Sequence, residues 1–219
     1  MSPESTTLDF VSSAEEARQR SGVYGLLAAV FGTEPTAQLL DFLREPAARA
    51  ALAPTGAALE DGLGSTDEER IETLATEFCR LFLGPGKHIS PYSSVHMDGG
   101  SVLWGATTEW VRSYFLEAGF EPPASRLNPP DHIANELAFL CELTGAEAAA
   151  ADANDFEAWE RLRAAQSGFL GEHLLKWADR FFGAVAGEAG LAIYQDFANL
   201  AKAFLESEWD HLNRSRPQG

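Results

Sequence analysis

The sequence predicts an all-α protein. Apolar residues recur at intervals of three and four along most of the 219 residues, a spacing that places them on one face of a helix. The alternation of apolar and polar residues that is typical of half-buried strands is not found. Hydrophobic residues make up 45% of the chain, which is enough for a sizeable core at this length. We therefore expect a single helical domain over residues 1–219.

The first two helices are predicted from their capping patterns. Ser13 and Glu16 have the spacing of a capping box, and the apolar positions that follow continue to Gly32, where the first helix is expected to end. Thr36 is a suitable N-cap for a short second helix. The N-terminal part of the chain is thus expected to begin with two helices separated by a short turn.

A third helix is predicted to begin near residue 66 and to end at the Gly-Pro-Gly of residues 84–86. Two capping boxes fit its start, Ser65 with Glu68 or Thr66 with Glu69, and the sequence leaves both open. The following stretch, 84–101, is rich in Gly, Pro and Ser and predicts a loop. It is unusual for a loop because it holds side chains suited to binding, namely Tyr92, Val95, His96 and Met97.

The next helix is expected to run from residue 103 to residue 119. The two prolines within 119–127 then predict a hinge between an N-terminal half of about 1–120 and a C-terminal half of about 128–219. The C-terminal half is expected to open with a helix, which a Gly/Ala/Asp linker follows at 144–154. A long helical stretch is then expected over 156–181 and a final helix over 191–209.

The opening of that C-terminal half, 128–140, has more polar chemistry than helix capping needs. Asn128 is suited to the N-cap and Pro129 to the first helical position. Asp131 is then expected in the first turn, where free backbone N–H groups favour a carboxylate. The ordinary interpretation of this stretch is therefore a capped helix start.

His132 suggests a second interpretation. It directly follows Asp131 and lies four residues before Glu136, so that His132 and Glu136 share one helix face. One hypothesis is a capping Asp with a surface His–Glu pair, which would stabilise the helix by a few tenths of a kcal/mol. The other is a polar recognition site at the helix entrance.

Charge and targeting signals restrict the cellular setting. There are 33 acidic and 16 basic residues, and the net charge of −17 disfavours nucleic acid and anionic membranes and favours a cationic partner, although acidic surfaces also serve solubility. The N-terminus has neither the basic start nor the apolar run of a signal peptide. The longest uncharged apolar stretch, 22–33, is too short to span a membrane. We expect a cytoplasmic protein without membrane insertion.

Cysteine and histidine positions give little support to a metal site. Cys79 and Cys141 lie in apolar helical runs without Cys-x-x-Cys spacing, which predicts reduced core thiols. His173 lies on an apolar helix face and is expected to be a hydrogen-bonded packing residue.

The main enzymatic alternative is a metal-dependent helical hydrolase that uses His132, Glu136 and Asp131, with His96 as a further ligand. It lacks a second His-rich helix to complete the ligand set. Motifs of serine hydrolases, phosphate-binding loops and zinc proteases are also missing from the sequence.

Three segments resemble one known family. Residues 129–137 resemble the Glu-Pro-x-Asp-His-Ile-x-x-Glu-Leu signature of the TorD/DmsD/NarJ chaperones for molybdenum-cofactor oxidoreductases, with Asn128 in place of the first Glu. Residues 80–86 with 91–96 resemble the mid-chain loop of the family, and 169–177 resembles its Phe…His-Leu…Trp helix. The three matches occur in the family order.

The resemblance implies a cytoplasmic, non-enzymatic chaperone of the TorD type that uses no cofactor. Its implied partner is an apo-molybdoenzyme with a twin-arginine leader, which is held before export while the molybdenum cofactor is inserted. A homodimer and guanine-nucleotide binding are left open by the resemblance. A structural subunit of an oxidoreductase complex is the remaining alternative.

The resemblance also indicates a peptide-binding site. In the family the Asp-His motif and the mid-chain loop are associated with leader binding, and the matching residues here are Tyr92, Ser94, Asp131 and His132. Glu136, one helical turn after His132, is included in the predicted site.

Overall fold

The computed structural model describes residues 3–45, 65–84, 86, 88–99, 104–121 and 129–214, with only the backbone described for 3–12. Within these ranges the chain is helical and contains no strand, which confirms the all-α prediction. The helices are α1 Pro3–Gly32, α2 Ala37–Arg44, α3 Asp67–Phe78, α4 Ser93–Met97, α5 Ala106–Glu117, α6 Ile133–Asp152, α7 Phe156–Glu172, α8 Ala178–Glu188 and α9 Ala192–Arg214. A π-helical turn, Cys79–Leu83, extends α3, and a 3₁₀ turn, Leu174–Lys176, precedes α8.

The ends of the first three helices agree with the sequence in all but one case. α1 begins ten residues before the predicted start at Ser13, because no Gly or Pro interrupts the chain between Pro3 and that position. It ends at Gly32 as expected. Thr36 caps α2, and the capping box of Thr66 with Glu69 is the one that starts α3.

Two segments predicted to be irregular are helical. The expected loop of 84–101 contains α4, and the expected linker of 144–154 is helical up to Asp152, as part of α6. The Ala-rich composition of that linker is compatible with a helix once it packs on α1, where Ser21 lies against Gly145. Conversely, the predicted helix over 156–181 is broken between α7 and α8. The hinge residues 122–127 lie outside the described residues, so the division into two halves stays a prediction.

Close packing of α1 against α6 positions the start of α6. A Cβ atom added at Gly32 would lie 2.9 Å from the Cβ of Ala134, and one added at Gly25 would lie 3.4 Å from the Sγ of Cys141. These pairs run in opposite order along the two helices, which are therefore antiparallel. A larger residue at position 32 would push the first turn of α6 away from α1.

Aromatic side chains fill the core between α5, α6 and α7. The Phe139 ring lies 4.6 Å from that of Phe115 and 5.0 Å from that of Phe169, measured between centroids, and all three are buried. Cys79 and Cys141 are free thiols, as predicted, but both are partly exposed and neither is a core residue. No helix within the described ranges is long and apolar enough to cross a membrane.

A buried network of charged side chains joins α1, α6, α7 and α9. Arg20 donates to both carboxylate oxygens of Glu208, at 2.8 and 2.9 Å, and to Glu147 at 2.9 Å. It also donates to Gln166 at 2.7 Å, while Arg163 donates to the second oxygen of Glu147 at 2.8 Å. Each buried charge is thus paired and hydrogen-bonded, which is the condition for burying it without a large loss of stability.

His211 at the edge of this network is expected to make stability depend on pH. Its Nε2 lies 3.0 Å from Nη1 of Arg163, a contact in which neutral imidazole accepts. Burial, and then the charges of Arg20 and Arg163, lower the pKa of His211 below its ordinary 6.5. The unfolded chain therefore binds the proton first, and this contribution to stability is lost as pH falls below 6.5.

The expected result is a Tm that falls more between pH 7.5 and 5.5 in the parent than in His211→Gln. One pKa unit is worth about 1.4 kcal/mol, and 1 kcal/mol corresponds to about 2 to 4 °C in Tm for a chain of this size. Partial exposure of the ring reduces the effect. Thermal denaturation followed by circular dichroism across this pH range measures it. Equal slopes for parent and variant would contradict the assignment to His211.

Candidate functional site

The two segments that contain the predicted site residues lie side by side. Tyr92 and His132 form an isolated antiparallel β-bridge. The backbone N–H of Ser93 donates to the carbonyl of Asp131 at 2.9 Å, and the N–H of Ile133 donates to the carbonyl of the residue before Tyr92 at 2.8 Å. The structure therefore brings the mid-chain segment and the Asp-His motif together.

The helix after the Asp-His motif begins later than predicted. His132 has extended backbone angles, φ −73° and ψ 134°, and its Nδ1 accepts the backbone N–H of Ala134 at 3.1 Å, so that His132 is the N-cap of α6. Pro129 is therefore not in the first helical position, and Asp131 is not in the first turn. The bridge to Tyr92 keeps this segment extended, which explains the difference. Asn128 lies outside the described residues.

Asp131 interacts with α4 instead of capping its own helix. Its carboxylate is fully buried, and Oδ2 accepts the backbone N–H of Ser94 at 3.0 Å, across 37 residues of sequence. No hydrogen-bond donor in the described part of the chain reaches the other oxygen, Oδ1, and the buried Oγ of Ser94 has no hydrogen-bond partner there either. A buried carboxylate oxygen without a donor costs free energy, so Oδ1 would gain from any hydrogen-bond donor brought within reach.

Tyr92 is the most accessible residue of the predicted site. It is partly exposed, whereas His132, Asp131 and Ser94 are buried. Its ring meets the His132 ring edge to face at 5.1 Å. Burial, and then the nearby Asp131 carboxylate, raise the pKa of Tyr92 above 10, so the phenol is neutral and can donate a hydrogen bond at neutral pH.

Glu136 does not form the predicted surface pair with His132. Its carboxylate is fully buried and contacts the segment between α7 and α8, where His173 Nε2 lies 2.8 Å away and Trp177 Nε1 donates at 3.2 Å. Burial raises the pKa of Glu136, and His173 opposes that shift. Glu136 is therefore not available to a partner at the protein surface, because its side chain is part of a buried polar contact between helices.

His173 is buried and hydrogen-bonded, which confirms the prediction of a packing residue. Its partner carboxylate could not be found on its own helix face because Glu136 comes from α6. The Trp110 ring stacks on His173 at 5.0 Å, and the His96 ring stacks on Trp177 at 5.2 Å. Sequence reasoning missed this aromatic layer around Glu136, although His173 and Trp177 both belong to the third segment that resembles the family.

The structure does not assemble the proposed metal ligands. Among the described residues, no three His, Cys, Asp or Glu side chains lie together so that they could hold a metal ion. His132 uses Nδ1 as a helix cap, Glu136 bonds to His173, and the His96 ring packs on Trp177. The hydrolase alternative is therefore wrong, because the side chains it proposed as metal ligands face different directions.

The fold and this site can now be compared with known proteins. Residues 33–183 match the family described as nitrate reductase delta subunit. The chaperone protein TorD of Aliivibrio fischeri is 29% identical over 211 residues, which cover 87% of this chain and 96% of that protein. TorD of Vibrio vulnificus strain CMCP6 is 28% identical over 210 residues, which cover 89% of this chain and 94% of that protein. The Tat proofreading chaperone DmsD of Salmonella typhimurium is 30% identical over 139 residues, which cover 63% of this chain and 61% of that protein.

These similarities define the class of protein as a helical chaperone, so its role is not enzymatic. The chain belongs to the nitrate reductase delta subunit family, that is, to the TorD/NarJ family of molybdoenzyme chaperones.

Proposed function

We propose that the protein binds the twin-arginine leader of an apo-molybdoenzyme at Asp131, with His132, Tyr92 and Ser94 around the contact. It would hold this client in the cytoplasm before export, while the molybdenum cofactor is inserted. The description of the relative DmsD as a Tat proofreading chaperone supports this proposal. The observation that carries it is the buried Oδ1 of Asp131, which no donor in the described part of the chain reaches.

A guanidinium group suits this carboxylate. Arginine carries several N–H donors in a planar arrangement and remains charged at any physiological pH, so that it can satisfy a carboxylate oxygen with a charge-assisted hydrogen bond. The net charge of −17 also attracts a basic peptide at long range. A leader with two arginines followed by an apolar run therefore matches both the local need of Asp131 and the charge of the whole chain.

Access to Asp131 requires movement of α4. Asp131 is fully buried, and its Oδ2 is bonded to Ser94 in the five-residue helix Ser93–Met97. An arginine that reaches Asp131 would replace that donor or bind beside it. Hydrogen bonds to charged groups contribute about 1.5 to 3 kcal/mol in either case, so the exchange costs little free energy. We expect leader binding to shift α4 relative to α6.

Glu136 enters this proposal as a positioning residue. Its bonds to His173 and Trp177 fix the first turn of α6, which follows Asp131 and His132 directly. Direct contact between Glu136 and a leader, as predicted from the sequence, is not part of the proposal because the carboxylate is fully buried.

Titration calorimetry with synthetic leaders from the same genome tests the proposal. Because part of the affinity is electrostatic, binding should weaken as the Debye length falls from about 10 Å at 0.1 M salt to about 3 Å at 1 M. The matched control is the same leader with both arginines replaced by glutamine, which should bind more weakly and with little dependence on salt. If no leader bound at any salt concentration, the proposal would be wrong.

A further inference from the structure

A groove that does not include Asp131 lies between α1, the C-terminal end of α5, α6 and α7. It consists of two neighbouring cavities of about 620 and 280 Å³, and Ala118, Leu143 and Leu162 contribute to both. Cavities of this size are in the range that binds ligands and peptide side chains. The groove is therefore large enough for several side chains of a bound segment.

The floor of the groove is apolar because of the spacing of small residues on α6. Ala138 and Ala146 are eight residues apart on one helix face and leave room above them, while the partly exposed Phe120 and Leu162 supply the surrounding apolar surface. Such a floor binds aliphatic or aromatic side chains through burial of apolar area. It offers little to a purely polar ligand.

The rim of the groove is acidic. Glu121 and Glu142 line the larger cavity and Glu117 lines the smaller one, and all three are exposed. Arg161 is the basic residue among the described lining residues of the smaller cavity. A second copy of this chain or an anionic membrane would bring more negative charge to this rim, so both are disfavoured. A positively charged partner is favoured.

The groove and Asp131 lie at different points along α6. Glu142, which lines the groove, lies nine residues after Ile133, which corresponds to about 14 Å along the helix axis. Asp131 is not among the described residues that line the groove, so the two surfaces can be changed separately by substitution.

We propose that this groove binds an apolar peptide segment with at least one basic side chain, and that it is a second docking surface for an incompletely folded client. The apolar floor would bury the hydrophobic side chains, and the carboxylates at the rim would pair with the basic one. The proposal is independent of leader binding at Asp131.

Cys141 provides a reporter within the groove. It lines the larger cavity, is partly exposed, and becomes the single thiol in Cys79→Ser, because the chain has two cysteines. The probe is a synthetic 16-residue peptide of leucine, alanine and two arginines. We expect it to slow alkylation of Cys141 by iodoacetamide about tenfold at saturation, whereas a peptide with glutamates in place of the arginines should not.

Two matched variants locate the effect. Ala146→Arg places a cation in the groove and should weaken peptide affinity about tenfold, as expected for like charges brought together. Ala203→Arg makes the same change at an exposed alanine in α9, away from the groove, and should leave protection intact. Both positions are exposed in helix interiors, where arginine is well tolerated, and circular dichroism verifies folding. In Cys141→Ser, the alkylation rate of Cys79 should not respond to the peptide.

Asp131→Asn in the Cys79→Ser background separates this proposal from leader binding, since protection of Cys141 should not change. The groove proposal would be overturned if the peptide failed to protect Cys141, or if Ala203→Arg and Ala146→Arg lost protection equally. It would also be overturned if Asp131→Asn abolished protection, or if Cys141 reacted in the free protein as slowly as a fully buried thiol.

Discussion

Replacing Arg20 with alanine is expected to lower the free energy of unfolding by about 3 to 5 kcal/mol. The change leaves the carboxylates of Glu147 and Glu208 buried without the guanidinium that pairs with both of them. Burial acts to raise the pKa of Glu147, but Arg20, Gln166 and Arg163 together lower it, so the carboxylate is charged at neutral pH. In the variant, Glu147 keeps only Arg163 as a cationic partner within the described network. The expected fall in Tm is roughly 6 to 20 °C.

Urea denaturation of parent and variant at pH 7.5 measures this loss. Arg18→Ala is the matched control, because Arg18 is in the same helix and pairs with Asp152, but both side chains are about half exposed. An exposed pair contributes little to stability because solvent screens it, so the control should lie close to the parent. Similar losses in the two variants would show that the buried network does not hold the four helices together.

Replacing Asp131 with asparagine is expected to weaken leader affinity by about 1 to 3 kcal/mol, or about 5- to 150-fold, with little change in stability. The asparagine oxygen can still accept the N–H of Ser94, so the contact with α4 is retained. The variant loses the negative charge that is proposed to attract an arginine. Calorimetric titration with the leader and thermal denaturation together measure the two effects.

Asp155→Asn is the control for this change. Asp155 accepts the backbone N–H of Ala158 at the start of α7, at 3.0 Å, so it makes a comparable backbone contact away from α4 and the proposed site. The control variant should leave leader affinity unchanged. His132→Ala is less informative, because His132 caps α6 and its loss should also cost about 1 kcal/mol of stability. If Asp131→Asn bound a cognate leader as tightly as the parent, the carboxylate would have only a structural role.

Local sequence patterns were sufficient for several helix ends. Thr66 with Glu69 starts α3, Thr36 caps α2, and Gly32 ends α1, each through contacts within a few residues of the position concerned. Side chains that reach across the fold were not predictable in this way. The partner of His173 is 37 residues away in sequence, and the sequence contains no pattern that pairs it with Glu136.

The Asp-His motif shows the same division between local and tertiary information. The residues at 131 and 132 identified the family and the segment to inspect, and Pro129 and Asp131 followed ordinary helix-start preferences. The tertiary structure reassigned them, since His132 became the cap and the carboxylate was directed to α4.

The sequence by itself determined the all-α class, several helix limits and the family, because these depend on periodicity, capping and short motifs that act over one or two helical turns. Only the tertiary structure decided that Asp131 is buried with an oxygen lacking a donor within the described residues, that Glu136 lies away from His132, and that Arg20 holds four helices together. The physical reason is that burial and hydrogen-bond partners depend on which helices meet. That in turn depends on contacts such as Gly32 against Ala134, between residues about one hundred positions apart in the chain.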